Sequence, residues 1–348
     1  MISKTVTFAA LTLALVPVCA FAKAPADAAI ERTSEGQLNV SWSSPDPVDV
    51  LVSTSPHAPA KAAMLVSARD TDGKATVPAS GLQRDYILLR DVRTGEITRV
   101  AERLIPLEAG SNFRDIGGYA AAGGKHVRWG LIYRSGATPL ITPADQERIH
   151  ALGLANMVDL RSDEERVLAP SRVDGVPYTA VGYSMNKMNL AGGMEGTYRA
   201  MPATFAPQLR QIFARLLRSE GPLAYNCSAG QDRTGFTTAI VLSALGTPRD
   251  TIMADYHLST RFRRPEFEMP HIDLKAHPGD PAAALFASYQ DNPEARKPRP
   301  LMTAEGKAFL SFALAEIDAK WGSVDSYLAK ELGVGPKEIA RLRASYTE

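Results

Sequence analysis

The residues from Leu223 to Gly246 join two patterns that few folds accommodate side by side. Leu223-Ala224-Tyr225-Asn226 is a short apolar run after Gly221-Pro222, as a buried strand would be. From Thr234 the run TGFTTAIVLSALG has the pattern of a helix that stops at Gly246, before Thr247-Pro248. Between them lies a short loop that begins at Cys227. A strand feeding a helix in this way belongs to an α/β sheet, and the loop then sits at the carboxyl end of its strand, where such sheets bind ligands.

The chain from Gly110 onward repeats this alternation. Thr142 with Asp145, and Pro143 at the first helical position, predict a helix start, and PADQERIHALG runs to Gly153. LANMVDL then reads as a buried strand, with Arg161-Ser162-Asp163-Glu164-Glu165 just past its carboxyl end. Phe205, Leu209, Ile212, Phe213, Leu216 and Leu217 recur at helical spacing, which predicts an amphipathic helix over Ala203 to Arg218. The last hundred or so residues are helical in pattern, interrupted by HPGDP and NPEARKPRP.

Upstream, from Gly36 to about Glu108, the texture differs. QLNVSWSS, VDVLVSTS, AAMLVSARD, KATVPAS, DYILLRDV and EITRVAERL are short β-prone runs, punctuated by Pro45-Asp46-Pro47, Asp72-Gly73 and Thr94-Gly95. This predicts a small fibronectin-like or immunoglobulin-like β-sandwich over residues 30–107, followed by a sheet flanked by helices over 108–348. The module carries no titratable cluster and reads as a scaffold or interaction module whose partner is open.

Lys4, the apolar run Val6 to Val18 and Ala20-Phe21-Ala22 before Lys23 form the pattern of a secretory signal peptide over residues 1–22. The apolar run falls short of the ~20 residues that span a bilayer, so the expectation is an exported chain, periplasmic or secreted, without stable membrane insertion after cleavage. Cys19 would leave with that segment, and Cys227 would remain as the sole cysteine, an unpaired thiol in an oxidising compartment. Lys plus Arg number 39 against 38 Asp plus Glu, which excludes a nucleic-acid binder working through a global basic field; any anion site is local. His126, His150, His257 and His271 share no metal-ligand spacing, so no metal and no cofactor is expected.

The loop Cys227-Ser228-Ala229-Gly230-Gln231-Asp232-Arg233-Thr234 has the composition of such an anion site. Its backbone N–H groups and those of the first helical turn lack internal partners, and with the helix dipole they attract an anion. The same field favours the thiolate of Cys227. Arg233 can hold two oxygens of a phosphate with its planar fork, Gly230 lets the backbone bend, and the Thr234 hydroxyl is placed to reach the Cys227 sulfur.

Cysteine, five residues, arginine and Ser or Thr between a strand and a helix resembles the loop of the bacterial tyrosine phosphatase-like family, H-C-x-A-G-K-D-R-T-G. The resemblance extends to NFRDIGGY at Asn112 to Tyr119, LIYRSGA at Leu131 to Ala137, MVDLRSDEE at Met157 to Glu165, ADYHLST at Ala254 to Thr260 and WGSVDSYLAKELGV at Trp321 to Val334. It implies a metal-independent phosphomonoester hydrolase with a cysteinyl-phosphate intermediate, a protein-tyrosine or dual-specificity phosphatase acting on phosphotyrosine protein or a small phosphomonoester. In it Cys227 is the nucleophile, Arg233 and the backbone from Ser228 through Ala229, Gly230 and Gln231 to Arg233 bind the phosphate, and Asp232 is the general acid, ahead of Glu195 and Asp174. Two positions depart from the pattern: Asn226 stands for the histidine and Gln231 for the lysine, the latter taking a cation from the pocket and with it some capacity for phosphoinositides. A phosphoinositide or inositol-phosphate phosphatase and a pseudophosphatase that binds phosphorylated ligands without turnover stay open as alternatives.

Around the loop, Arg114 with Asp115 and Arg161 with Asp163 are expected either as ion pairs that brace it or as substrate contacts, and Asp159 as a structural hydrogen-bond partner. Met185, Met188 and Met194 with Gly192-Gly193 are expected to form a lid or pocket wall, where Tyr183 or Tyr198 could stack on an aryl phosphate.

Overall fold

The computed structural model describes residues 24–171, 173–185, 192–294 and 297–348; the segment 1–22 with Cys19, and Met188, lie outside the described residues. Seven strands come first: β1 (Ala26–Arg32), β2 (Gln37–Ser43), β3 (Val48–Ser53), β4 (Met64–Asp70), β5 (Lys74–Pro78), β6 (Tyr86–Asp91) and β7 (Ile97–Ala101). They pair antiparallel into a three-stranded sheet, β1-β2-β5, and a four-stranded sheet, β4-β3-β6-β7. Leu38, Val40 and Trp42 alternate inward from β2 and meet Val48, Val50, Ile87, Leu89 and Val100 from the other sheet, so the two sheets enclose one core. The strand pattern foresaw β2 to β7 but not β1, which starts ahead of residue 30. Only Ala28 and Ile30 of β1 turn toward that core, and both are partly buried, so the apolar alternation is too short to mark a strand in the sequence.

The second unit contributes Trp129 to that same core, its indole N–H donating to the Arg99 carbonyl at 3.1 Å. Beside it, Arg84 reaches across from the β-module to Asp115, Nη1 to Oδ2 at 2.5 Å, and donates through Nη2 to the Glu102 carbonyl at 2.8 Å. Asp115 is fully buried and also accepts the backbone N–H groups of Gly117 and Gly130. A buried carboxylate needs such pairing to remain charged, so the junction is held by a specific ion pair as well as by apolar contact.

From residue 114 the elements are β8 (Arg114–Asp115), β9 (Ile132–Ser135), α1 (Pro143–His150), β10 (Asn156–Asp159), α2 (Asp163–Leu168), β11 (Tyr178–Ala180), α3 (Gly193–Thr204), α4 (Ala206–Arg218), β12 (Leu223–Asn226), α5 (Asp232–Leu245), α6 (Arg249–Phe262), α7 (Pro281–Gln290), α8 (Leu310–Trp321), α9 (Val324–Lys330) and α10 (Pro336–Tyr346). The sheet order is β11-β10-β12-β9-β8, parallel except for β8. β12 is therefore its middle strand, and Cys227 follows at the centre of the carboxyl edge. Successive residues point to opposite faces: Leu223 and Tyr225 pack with Leu209, Phe213, Ile240 and Leu314 on one side, while Ala224 packs with Phe113, Ile149 and Met157 on the other.

Thr142 and Asp145 form the expected capping box at the start of α1. The single helix expected over Ala203 to Arg218 is instead the end of α3 and the whole of α4, separated at Phe205. Pro207 has no N–H to donate to the Ala203 carbonyl, so one continuous helix through this point would lose a bond and gain a clash. Gly192 and Gly193, assigned to a lid from sequence, are the N-cap and first residue of α3, a helix that also includes Met194.

Candidate active site

Cys227 is 2% exposed at the end of β12, and the loop that follows is held by its carbonyls. The Asn112 side-chain amide donates to the carbonyls of Ala229 at 3.1 Å and Gly230 at 2.8 Å. Arg134 Nη2 also donates to Gly230 O at 2.8 Å, and the Ala137 N–H to Ser228 O at 2.9 Å. Among the described residues, no hydrogen bond is donated by the backbone N–H groups from Ser228 to Arg233. Carbonyls anchored on one side and unpaired N–H groups at the start of a fourteen-residue helix make an anion cradle.

The anchors are themselves fixed. Asn112 has a left-handed backbone, φ +57°, and its side-chain oxygen accepts from Arg114. Arg114 Nε and Arg134 Nη1 both pair with Asp255, at 3.1 and 2.5 Å, and all three side chains are buried. Burial opposes charge on Asp255, but the two guanidinium groups prevail and hold its carboxyl well below the usual carboxylate range. The expected pairing of Arg114 with Asp115 therefore does not occur. The neighbours alternate in direction along β8, so one turns to Asp255 and the other to Arg84. Gly230 has φ +66°, and a Cβ there would lie 2.5 Å from the Gly136 nitrogen and 2.6 Å from the Ser135 carbonyl carbon and oxygen, which only glycine avoids.

Arg233 meets a partner that sequence reading passed over. Its Nη1 and Nη2 donate to the two carboxylate oxygens of Glu165 at 2.6 and 2.7 Å, and Nη1 also donates to the Tyr183 hydroxyl at 2.6 Å. Ser228 Oγ donates to Glu165 Oε1 at 2.5 Å. Glu165 closes the capping box of α2 by accepting the Ser162 N–H at 2.9 Å, so helix geometry holds it independently of Arg233. Burial disfavours its charge, but Arg233, Ser228 and the Ser162 N–H outweigh that and hold the carboxyl at about 2. A guanidinium has five N–H donors. Those to Glu165 and Tyr183 leave Nε–H and one Nη2–H on a single edge, the fork suited to two phosphate oxygens. The available signal was S-x-x-E just past the carboxyl end of a strand.

Other expectations are corrected. Arg161 pairs bidentately with Asp159, at 2.7 to 3.0 Å, while Asp163 pairs with Arg166 one helical turn on. Asp159 is thus the structural partner expected. The Thr234 hydroxyl is buried with no hydrogen-bond partner among the described residues, so the bond to the Cys227 sulfur is not formed. Asn226 Nδ2 lies 3.5 Å from the Cys227 carbonyl oxygen rather than at the sulfur. Tyr198 is fully buried and cannot face a substrate ring; Tyr183 packs edge-on against Phe205 with its hydroxyl on Arg233. Nor is the Gln231 side of the loop short of a cation, because Arg263 Nη1 donates to Gln231 Oε1 at 2.8 Å. Arg263 is paired with Glu268, and although burial opposes it, Glu268, Asp232 and Cys227 together raise its pKa.

Asp232, first residue of α5, accepts from the Tyr198 hydroxyl at 2.6 Å through Oδ1. A recessed cysteine, a cradle of N–H groups, an arginine with an open fork and a carboxyl in the same loop thus meet at the carboxyl edge of the sheet, a set of groups able to hold a phosphate ester beside a nucleophile. The family model of the tyrosine phosphatase family matches residues 105–348. The chain belongs to the tyrosine phosphatase family, and it is 33% identical over 252 residues to a protein of Cupriavidus necator named as a tyrosine-protein phosphatase, covering 68% of this chain and 85% of that one. It is 27% identical over 277 residues to the triple specificity protein phosphatase PtpB of Mycobacterium tuberculosis, covering 67% and 95%. A tyrosine-protein phosphatase of Nostoc commune is 26% identical over 215 residues, covering 58% and 69%.

Proposed function

We propose that this phosphatase acts by a two-step displacement at Cys227 and that phosphotyrosine in protein is its preferred substrate. The Cys227 sulfur attacks phosphorus, forming the S–P bond as the P–O bond to the phenol breaks, and Asp232 gives its proton to the leaving oxygen. Water then attacks the cysteinyl-phosphate and loses a proton to Asp232, and the thiolate leaves. The Arg233 fork and the N–H groups of the loop stabilise the three equatorial oxygens in both steps.

The observation that carries this reading is the polarity of the loop: its carbonyls are tied back to Asn112, Arg134 and Ala137, and its N–H groups are left for an anion above Cys227. The depth of Cys227 supports the aryl ester, since a phenol ring carries phosphate farther from the peptide backbone than a serine side chain does. The names of the relatives point the same way, with PtpB adding that other phosphoesters belong in the comparison. Export as a periplasmic or secreted protein is also proposed, on the pattern of residues 1–22; the mass of the mature chain tests it.

The deciding experiment compares kcat/KM for phosphotyrosine peptide, phosphoserine peptide, phosphoinositide and phytate, with chelator present. Phosphotyrosine peptide should lead. A lead for phytate or phosphoserine would overturn the substrate, and turnover by Cys227→Ser would overturn the mechanism.

A further inference from the structure

Two buried tyrosines in the catalytic unit have hydroxyls that the displacement mechanism does not use. Tyr198 on α3 and Tyr256 on α6 are each at most 1% exposed, and their hydroxyl oxygens lie 2.7 Å apart. The Tyr198 hydroxyl is also 2.6 Å from Asp232 Oδ1. A carboxylate can only accept, so Tyr198 donates to Asp232 and its oxygen receives the proton of Tyr256. The hydrogen bonds therefore run in one direction, from Tyr256 to Tyr198 to Asp232.

We infer that Tyr198, backed by Tyr256, is a positioning residue for the general acid: it engages Asp232 Oδ1 and leaves Oδ2 as the oxygen that carries the proton to the leaving group. This rests on the reading of Asp232 given above. Three features support it. Asp232 is half-buried, and Oδ2 has no hydrogen-bond partner among the described residues, so one carboxyl oxygen is engaged and the other is not. The Tyr198 ring is fixed by stacking on Phe309, centroids 5.8 Å apart, and by an edge contact with Tyr256, centroids 6.3 Å apart, so its hydroxyl is aimed by packing. Burial, with the Asp232 charge next, pushes both phenols far above their ordinary pKa, so both remain protonated donors over the working pH range.

The geometry also explains why an acid can serve from inside the loop. Asp232 begins a helix whose N–H groups face the phosphate, and an unrestrained carboxylate there could turn back to cap those groups. The Tyr198 hydroxyl supplies a competing donor, 2.6 Å from Oδ1.

The test uses two substrates that differ in their need for an acid: phenyl phosphate, whose leaving phenol has a pKa near 10, and p-nitrophenyl phosphate, whose leaving group is far more acidic. Tyr198→Phe keeps the ring and removes the donor. It should lower kcat/KM for phenyl phosphate about 10-fold, the scale of a hydrogen bond to a charged group, and leave p-nitrophenyl phosphate nearly unchanged. Placed in the Asp232→Asn background it should change neither substrate further, since groups acting as one unit are not additive. Tyr256→Phe, which disturbs the packing around Asp232 less, should show the same selectivity at about 3-fold. Equal losses on both substrates in the two tyrosine variants, or a further loss in the Asp232→Asn background, would overturn the positioning role alone. Equal losses in Asp232→Asn itself would overturn the acid assignment, and the role of the tyrosines with it.

Discussion

Replacing Glu165 by Gln keeps the side-chain volume and removes the charge that orients Arg233. The displacement of the Glu165 carboxyl from its ordinary 4.5 to about 2 corresponds to about 3 kcal/mol favouring the ionised form in the folded chain. At neutral pH the variant loses that stabilisation. It also leaves the Arg233 side chain, 18% exposed, without its countercharge. A loss of about 3 kcal/mol in a domain of this size lowers Tm by roughly 6–12 °C. Because the folded pKa is depressed, the contribution is complete above about pH 4.5 and is lost as pH falls through about 2. The unmutated protein should therefore lose stability across that window, and the Glu165→Gln protein should show a shallower acid slope. Activity should fall more than stability does: an amide cannot accept on both ends of the fork, and a fork displaced by about 1 Å costs on the order of 100-fold in kcat/KM. Thermal unfolding between pH 2 and 7, with steady-state kinetics at pH 7, measures both. Unchanged Tm and kcat/KM would refute the role of Glu165. A lower Tm with unchanged kcat/KM would show that it staples the fold without orienting Arg233.

Cys227→Ser should abolish turnover yet retain vanadate binding, read by calorimetry, because the cradle is backbone and Arg233; loss of binding together with turnover would show the sulfur to be part of the cradle. Gly230→Ala should lower kcat/KM by about 100-fold or more, since the new Cβ meets backbone at 2.5 Å and the loop must shift; full activity would mean that the loop tolerates another shape. Gln231→Lys should lower Tm without a selective gain on phosphoinositides, because the ammonium would meet Arg263; a rise in the ratio of phosphoinositide to peptide activity would show the side chain turned away from Arg263. Arg84→Ala should destabilise the folded chain by about 3 kcal/mol, read in urea unfolding, by leaving Asp115 buried without its countercharge; an unchanged midpoint would show the ion pair to be incidental.

Much of this protein is local, and local features are legible in a sequence. The strand LAYN, the helix that follows the loop (expected from Thr234 and beginning at Asp232), the capping box at Thr142 and the alternation of β2 follow from side-chain periodicity and from which backbone groups a neighbouring side chain can satisfy. The loop from Cys227 to Thr234 is legible for the same reason, since strand, glycine and helix N-terminus are contiguous. Asp159 beside Arg161 was within reach because the two stand only two positions apart in the chain. Elements with a weak pattern were not legible: β1 turns only Ala28 and Ile30 inward, and Pro207 was needed to see that two helices meet at Phe205. What only the tertiary structure decided is the partnership of charges distant in the chain. Glu165 and Arg233 are 68 residues apart, Arg134 and Asp255 are 121, and Arg84 and Asp115 are 31. A buried charge pairs with whatever countercharge folding brings within about 3 Å, and that depends on the order of strands in the sheet and the packing of helices against it, which no window along the chain contains.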